Sequence, residues 1–172
     1  MENKLDKIDM QILSILQGDG RIQLKALAEK VFLSSPATSA RLDRLERDGY
    51  ILGYKAQVNR LALGLHITAF INLAVEPAEK PQFYPFIKAS PYVLECNCVT
   101  GEYTMLIKAA FHSTVELDAF INKLQQFGKT NTQIVFSTSV ASRGVDFLRL
   151  EEWSEKDKSE YLYMSETESE KE

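Results

Sequence analysis

Apolar positions recur at helical spacing through the first fifty residues, and beyond residue 65 the alternation typical of strands takes over in part. Asp6 opens the first amphipathic run. It can cap the first turn while Ile8, Ile12, Ile15 and Leu16 line one apolar face, and Gly18-Asp19-Gly20 ends the run. A second run, Leu24 to Val31, groups Leu27, Ala28 and Val31, followed by the short turn Phe32-Leu33-Ser34. The third helix begins at Ser34 or Ser35. It accommodates Pro36 in its first turn, where a missing N–H has no intrahelical partner, and stops at Gly49. Thr38, Leu42 and Leu45 seat this helix, so its outward arc carries Pro36, Ala40, Asp43, Arg44 and Arg47, with Arg41 nearer the seated edge. Tyr50 to Val58 reads as a two-stranded wing turning at Gly53-Tyr54.

Leu61-Ala62-Leu63-Gly64 reads as a hinge. After it, Ile67, Ala69, Ile71, Leu73 and Val75 share one side of a strand that Glu76-Pro77 breaks. A helical segment over Pro81 to Lys88, distorted at Pro85, gathers Phe83, Phe86 and Ile87. A strand through Tyr92, Leu94, Cys96 and Cys98 turns at Gly101-Glu102 into another, Tyr103 to Ala110. Ser113 and Glu116 fit a capping box for a helix with Leu117, Phe120, Ile121 and Leu124 on one stripe, ended by Gly128, and a last strand runs from Thr132 to Val140. The pattern therefore predicts an α+β chain, a winged helix-turn-helix followed by a ferredoxin-like βαββαβ domain with helices over one face of an antiparallel sheet. The other face needs a cover, and a second subunit is the economical one. The predicted divisions are 1–60, a hinge at 61–65, 66–145, and an acidic extension at 146–172.

A formal charge of −4 argues against nucleic acid until it is divided along the chain. Residues 1–60 carry 10 Lys/Arg against 8 Asp/Glu, residues 61–150 carry 7 against 7, and residues 151–172 carry 3 against 9. The acidity belongs to the last segment and the leading one is mildly basic. Two cysteines cannot complete a four-ligand zinc site, and their i, i+2 placement reads as reduced side chains near a core. No apolar run reaches membrane-span length and no signal peptide opens the chain, which predicts a cytoplasmic protein. His66 and His112 fall in different elements, and no paired carboxylates, metal cluster or phosphate-binding glycine loop is present. Neither catalytic residues, a metal nor a cofactor is expected.

The candidate chemistry is that of a helix reading duplex DNA. Ser39 and Arg44 are suited to base edges, while Ser34, Ser35, Arg41 and Lys55 are suited to phosphate. A dimer would offer two such helices to a two-fold operator. Taken singly, Arg41, Arg44 and Arg47 are also ordinary solvated residues that Asp43, Glu46 and Asp48 could pair with. A rival reading is an oligomeric small-molecule-binding module that acts through protein contacts without specific DNA recognition. An enzyme built on the ferredoxin-like half lacks the necessary constellation.

The stretch LDKIDMQILSILQGDGRIQLKALAEKVFLSSPATSARLDRLERDGYILGYKAQVN, followed in order by ECNCVTGEYTMLIKAAF, resembles the Lrp/AsnC family of feast/famine regulators across roughly residues 4–145. The resemblance implies operator binding by the first domain, dimerisation through the sheet of the second, and assembly of dimers into octamers or related rings. It also implies a cleft between dimers for a small amino acid, formed by Gly101, Glu102, Tyr103 and Thr104 with Thr132, Gln133 and Ile134. The chain departs from the family pattern at three places. Gly101-Glu102-Tyr103-Thr104 stands where Gly-Asp-Tyr-Asp is common, Ala40-Arg41 where adjacent arginines are common, and Phe32 where glycine is common. In the extension, Glu152 and Lys156 are four apart, Trp153 can anchor a short helix, and MSETESEKE has a solvated, disordered composition. A sharper reading docks Phe147, Leu148, Leu150 and Trp153 on a neighbouring subunit.

Overall fold

A computed structural model describes residues 5–146. The expectations for Phe147, Leu148, Leu150, Glu152, Trp153 and Lys156 lie outside the described residues. Two compact units are present: one runs up to Gln57 and resumes at Ala141, and the other is Val58–Val140.

In the first unit, α1 (Lys7–Gly18), α2 (Leu24–Lys30) and α3 (Ser35–Arg47) enclose Ile12, Leu13, Leu27, Val31 and Leu45. Thr38 and Leu45 are fully buried and Leu42 packs against the same cluster, as the seated arc predicts, but Arg44, expected on the outward arc, turns instead to the buried Asp9 of α1. Ser34 caps α3 by accepting the Ala37 N–H at 3.3 Å, and its carbonyl accepts the Thr38 hydroxyl at 3.0 Å, which satisfies the one buried hydroxyl of the helix. The expected two-stranded wing does not close. Tyr50 and Ile51 both donate to the Leu45 carbonyl, at 2.9 and 3.1 Å, and residues 51–59 then run on with no strand pairing. Leu52 is 95% exposed, and the Tyr54 hydroxyl bonds to Glu46 at 2.8 Å.

The second unit holds a four-stranded antiparallel sheet in the order β2-β3-β1-β4, from β1 (Ile67–Val75), β2 (Val93–Cys98), β3 (Met105–Phe111) and β4 (Gly128–Ile134). A 3₁₀ turn at Pro77–Glu79 leads into α4 (Lys80–Ala89), and α5 (Thr114–Leu124) joins β3 to β4. One sheet face carries Ala69, Ile71, Leu73, Ile107 and Ala109, and packs with Phe83, Ile87, Leu117, Phe120 and Leu124 of the helices. Aromatic rings tie this layer together: Phe86 to Phe127 at 5.3 Å, Phe111 to Phe120 at 5.5 Å, and Tyr92 to Phe111 at 5.0 Å between centroids. The opposite face presents Thr68, Phe70, Asn72, Leu106 and Lys108, each half-buried in the single chain.

Four details differ from expectation. Helix α5 ends at Leu124, because the Phe127 N–H turns back to the Leu124 carbonyl at 3.0 Å and Phe127 enters the core. Strand β4 then occupies Gly128–Ile134 instead of Thr132–Val140. Gly128, at φ 148, lies so close to β1 that a Cβ would fall 1.8 Å from the Ala74 carbonyl oxygen, so no other residue starts this strand as built. In β2 a bulge between Val93 and Glu95 breaks the simple alternation: Val93 and Cys96 pack on the core while Leu94 turns to solvent. The segment read as a hinge is a hydrogen-bonded turn in which Leu63 and Leu65 both donate to the Arg60 carbonyl.

Candidate nucleic-acid and effector sites

The first site is organised by a carboxylate. Asp9 lies three residues before Ile12 on the buried side of α1 and is 1% exposed. Its Oδ2 accepts the Asp6 N–H at 3.0 Å while Asp6 accepts the Asp9 N–H at 2.8 Å, a reciprocal capping box at the start of α1. The same carboxylate receives Arg41 Nη1 at 2.8 Å and Arg44 Nη2 at 2.5 Å, and Arg41 Nη1 also meets Asp6 at 2.6 Å. A buried carboxylate is tolerable only when paired and hydrogen-bonded, and here α3 supplies two cations one turn apart. Burial pushes the Asp6 carboxyl upward, but the Asp9 N–H and the Arg41 guanidinium outweigh it and hold it below the ordinary carboxylate value. The hydrogen bonds to Asp6 and Asp9 in turn raise Arg41 above its usual value.

Arg41 and Arg44 therefore face the first helix, with side chains 26% and 30% exposed, and Asp43, Glu46 and Asp48 are not their partners in these pairs. Of the three acids, Asp48 meets Arg47 at 3.4 Å and Glu46 meets Tyr54. Each guanidinium carries five N–H donors, so those turned away from Asp9 remain available to a ligand. The Ser34 hydroxyl accepts the cap hydrogen bond, which leaves its own proton free to donate. Ser35 and Ser39 are half-buried on α3, and Lys55 is exposed on the segment after it. Phe32, in the turn before α3, holds φ 56 and is 93% exposed. Sequence reasoning missed Asp9. The available signal was an acid at helical spacing from Ile12 and Leu16, inside an apolar stripe.

In the second unit, Gly101 (φ 111) starts the turn into β3. Glu102 meets Lys129 Nζ at 3.0 Å, and the same ammonium lies 5.8 Å from the Tyr103 ring centroid. The hydrogen bond to Glu102 raises the Lys129 ammonium above its ordinary value. Thr104 is built into the sheet: its N–H donates to the Leu73 carbonyl at 3.1 Å and its Oγ1 accepts the Val75 N–H at 3.1 Å. Thr132 and Ile134 pair with Ile71 and Ala69, two and four residues along β1 from Leu73. That separation is about 7–14 Å along a strand, so one chain does not bring Gly101–Thr104 together with Thr132, Gln133 and Ile134.

Among the described residues no helix is long and apolar enough to cross a membrane. A three-helix DNA-binding unit joined to a ferredoxin-like sheet unit is the build of a two-part transcriptional regulator. Residues 5–51 match the model of a winged helix-turn-helix DNA-binding domain, and residues 68–145 match that of the Lrp/AsnC ligand binding domain. The HTH-type transcriptional regulator LrpA of Bacillus subtilis is 35% identical over 132 residues, covering 76% of this chain and 97% of its own length. The uncharacterised HTH-type transcriptional regulator YezC of the same organism is 37% identical over 135 residues, 78% of this chain and 96% of its own. Among solved structures, Bacillus subtilis LrpC superposes with a TM-score of 0.77 at 29% identity, covering 81% of this chain and 99% of its own. A transcriptional regulator from Neisseria meningitidis, solved as a complex with L-Met, also reaches 0.77, at 28% identity, covering 81% of this chain and 94% of its own. The chain belongs to the Lrp/AsnC family of transcriptional regulators.

Proposed function

We propose that this regulator binds double-stranded operator DNA in the cytoplasm, as a homodimer that assembles further into an octamer or related ring, and that a small amino acid modulates it. It acts by binding and not by catalysis. The observation that carries the reading is α3 held against α1 by Leu45 and the Asp9 pairs, with Pro36, Ala40, Asp43 and Arg47 exposed. In this arrangement Ser39 and the outward donors of Arg44 address base edges, while Ser34, Ser35, Arg41 and Lys55 address phosphate.

The effector part rests on the match to the ligand binding domain and on the L-Met complex of the Neisseria protein. Because Gly101–Thr104 and Thr132–Ile134 lie apart in one chain, the amino-acid cleft is completed by residues of different subunits. Thr104 has no carboxylate to meet a ligand ammonium, which assigns that role to Glu102 after release from Lys129. Capture of genomic DNA by the purified protein, at fixed salt and with or without pooled amino acids, tests the reading. Discrete palindromic sites whose occupancy changes with one amino acid are expected. Sites indifferent to the pool would remove the sensor, and the lack of discrete sites would remove operator binding.

A further inference from the structure

The DNA-binding unit carries an apolar cleft of about 640 Å³ between the C-terminal half of α1 and the segment after α3. Leu13, Leu16, Gln17, Tyr50, Leu52 and Tyr54 line it. Leu52 is almost wholly exposed and Tyr50 and Tyr54 are about half so. Apolar side chains gathered in this way mark a surface that something covers.

The chain itself returns to this cleft. Gln17 Nε2 donates to the Val145 carbonyl at 3.1 Å, and Gln17 is one of the lining residues. Gly144 lies directly on the Gln17 side chain, where a Cβ would fall 1.4 Å from Gln17 Oε1. The sequence next supplies Phe147, Leu148, Leu150 and Trp153, four large apolar residues within eight positions of Val145. Eight residues reach up to about 28 Å when extended, enough to cross the cleft. The family match ends at residue 145, and LrpA and YezC match over 97% and 96% of their own lengths while leaving about a quarter of this chain unmatched. The return at Gly144 and Val145 lies at the end of the family match, and the residues after 145 lie beyond it.

We propose that Phe147–Trp153 docks in this cleft of its own chain and thereby holds the acidic residues 151–172 beside the DNA-binding surface. The surface adjoining the cleft carries two cations, Arg21 and Lys55, against one acid, Asp19. A stretch with nine acids against three bases competes there with phosphate for the same cations. Docking makes that competitor intramolecular, so it weakens DNA binding at low salt and loses force as salt screens it. The segment is an electrostatic governor on operator affinity.

Trp153 is the single tryptophan of the chain and reports on docking directly. In the full chain without DNA, its emission is expected at the short wavelengths of a buried indole. It should shift to longer wavelength, with stronger quenching by acrylamide, when either side is altered by Leu52→Gln or by Leu150→Gln. Leu52 is so exposed that its replacement leaves the fold intact, which circular dichroism verifies. An already solvent-exposed emission in the wild type, or one that neither substitution moves, would overturn the proposal. With Cys96 and Cys98 replaced by serine, Leu52→Cys plus Leu150→Cys should be joined within one chain by a flexible bifunctional maleimide. Linkage between chains, or none, rejects docking on the same copy. The effect on DNA rests on the operator-binding reading, whereas the fluorescence does not, so the two fail separately. The chain ended after residue 146 should bind DNA about fivefold more tightly at low salt, converging with the wild type at high salt. Equal affinity at every salt concentration sinks the governor.

Discussion

Asp9 joins helix capping to helix packing in one side chain, so its loss has a specific signature. Asp9→Ala removes an N-terminal hydrogen bond of α1, takes the carboxylate from Arg44 and leaves Arg41 with Asp6 alone. A fully buried pair broken in this way costs about 3–5 kcal/mol; the partial exposure of both guanidinium groups brings the expected loss nearer 2 kcal/mol, to be read by urea unfolding. Loss under 0.5 kcal/mol would show the pairs to be incidental. Phe32 makes the opposite case. Its φ of 56 is costly for a residue with a Cβ and its ring is in solvent, so Phe32→Gly should stabilise the chain by about 0.5–1 kcal/mol in the same measurement. The sequence shows Phe32 as an oddity because glycine is the conformationally natural occupant there. It hides Asp9's partners because they lie more than thirty residues away on another helix, at a distance no local spacing encodes.

At the level of elements, caps and close approaches decide where helices and strands begin. Ser34→Ala removes the side-chain acceptor at the start of α3 and is expected to cost about 1 kcal/mol of thermal stability. Gly128→Ala drives a Cβ into the Ala74 carbonyl and should detach β4 from β1, seen as lost strand signal in circular dichroism and a much lower melting temperature. A variant that melts like the wild type would mean that the two strands part at little expense. The three helices of the first unit and the first three strands of the second were legible because their apolar spacing is strong. Strand β4 was not: Lys129, Thr130, Asn131, Thr132 and Gln133 offer little apolar alternation, whereas Ile134 and Phe136 carry strand spacing, although Phe136 is fully exposed. The strand pairing expected over Tyr50 to Val58 is absent for a related reason, since turn residues between alternating ones also describe an extended segment with no partner strand.

For the whole molecule, charge couples stability to solution conditions. The Asp6 carboxyl is held below its ordinary value in the folded chain, so its contribution is complete above the unfolded carboxylate value and fades as pH falls through the folded one. The melting temperature should therefore drop on acidification more steeply for the wild type than for Asp6→Asn, and parallel profiles would exclude Asp6 as a source of the slope. DNA binding should weaken linearly on a plot of log affinity against log salt, and Lys55→Ala should reduce the slope by about one for each subunit engaged. An unchanged slope would take Lys55 off the phosphate backbone. The order of the two units and the turn at Gly101 could be read from the chain, whereas the separation of Gly101–Thr104 from Thr132–Ile134 could not, because it depends on the register of β4 on β1. The seating of α3 has a last consequence. Since Thr38, Leu45 and the grip of Asp9 hold the helix from within, substitutions at the exposed Pro36, Ala40, Asp43 and Arg47 should change its outer surface without disturbing how it stands. If α3 reads the operator as proposed, such changes retune recognition while the core that folds the unit stays as it is.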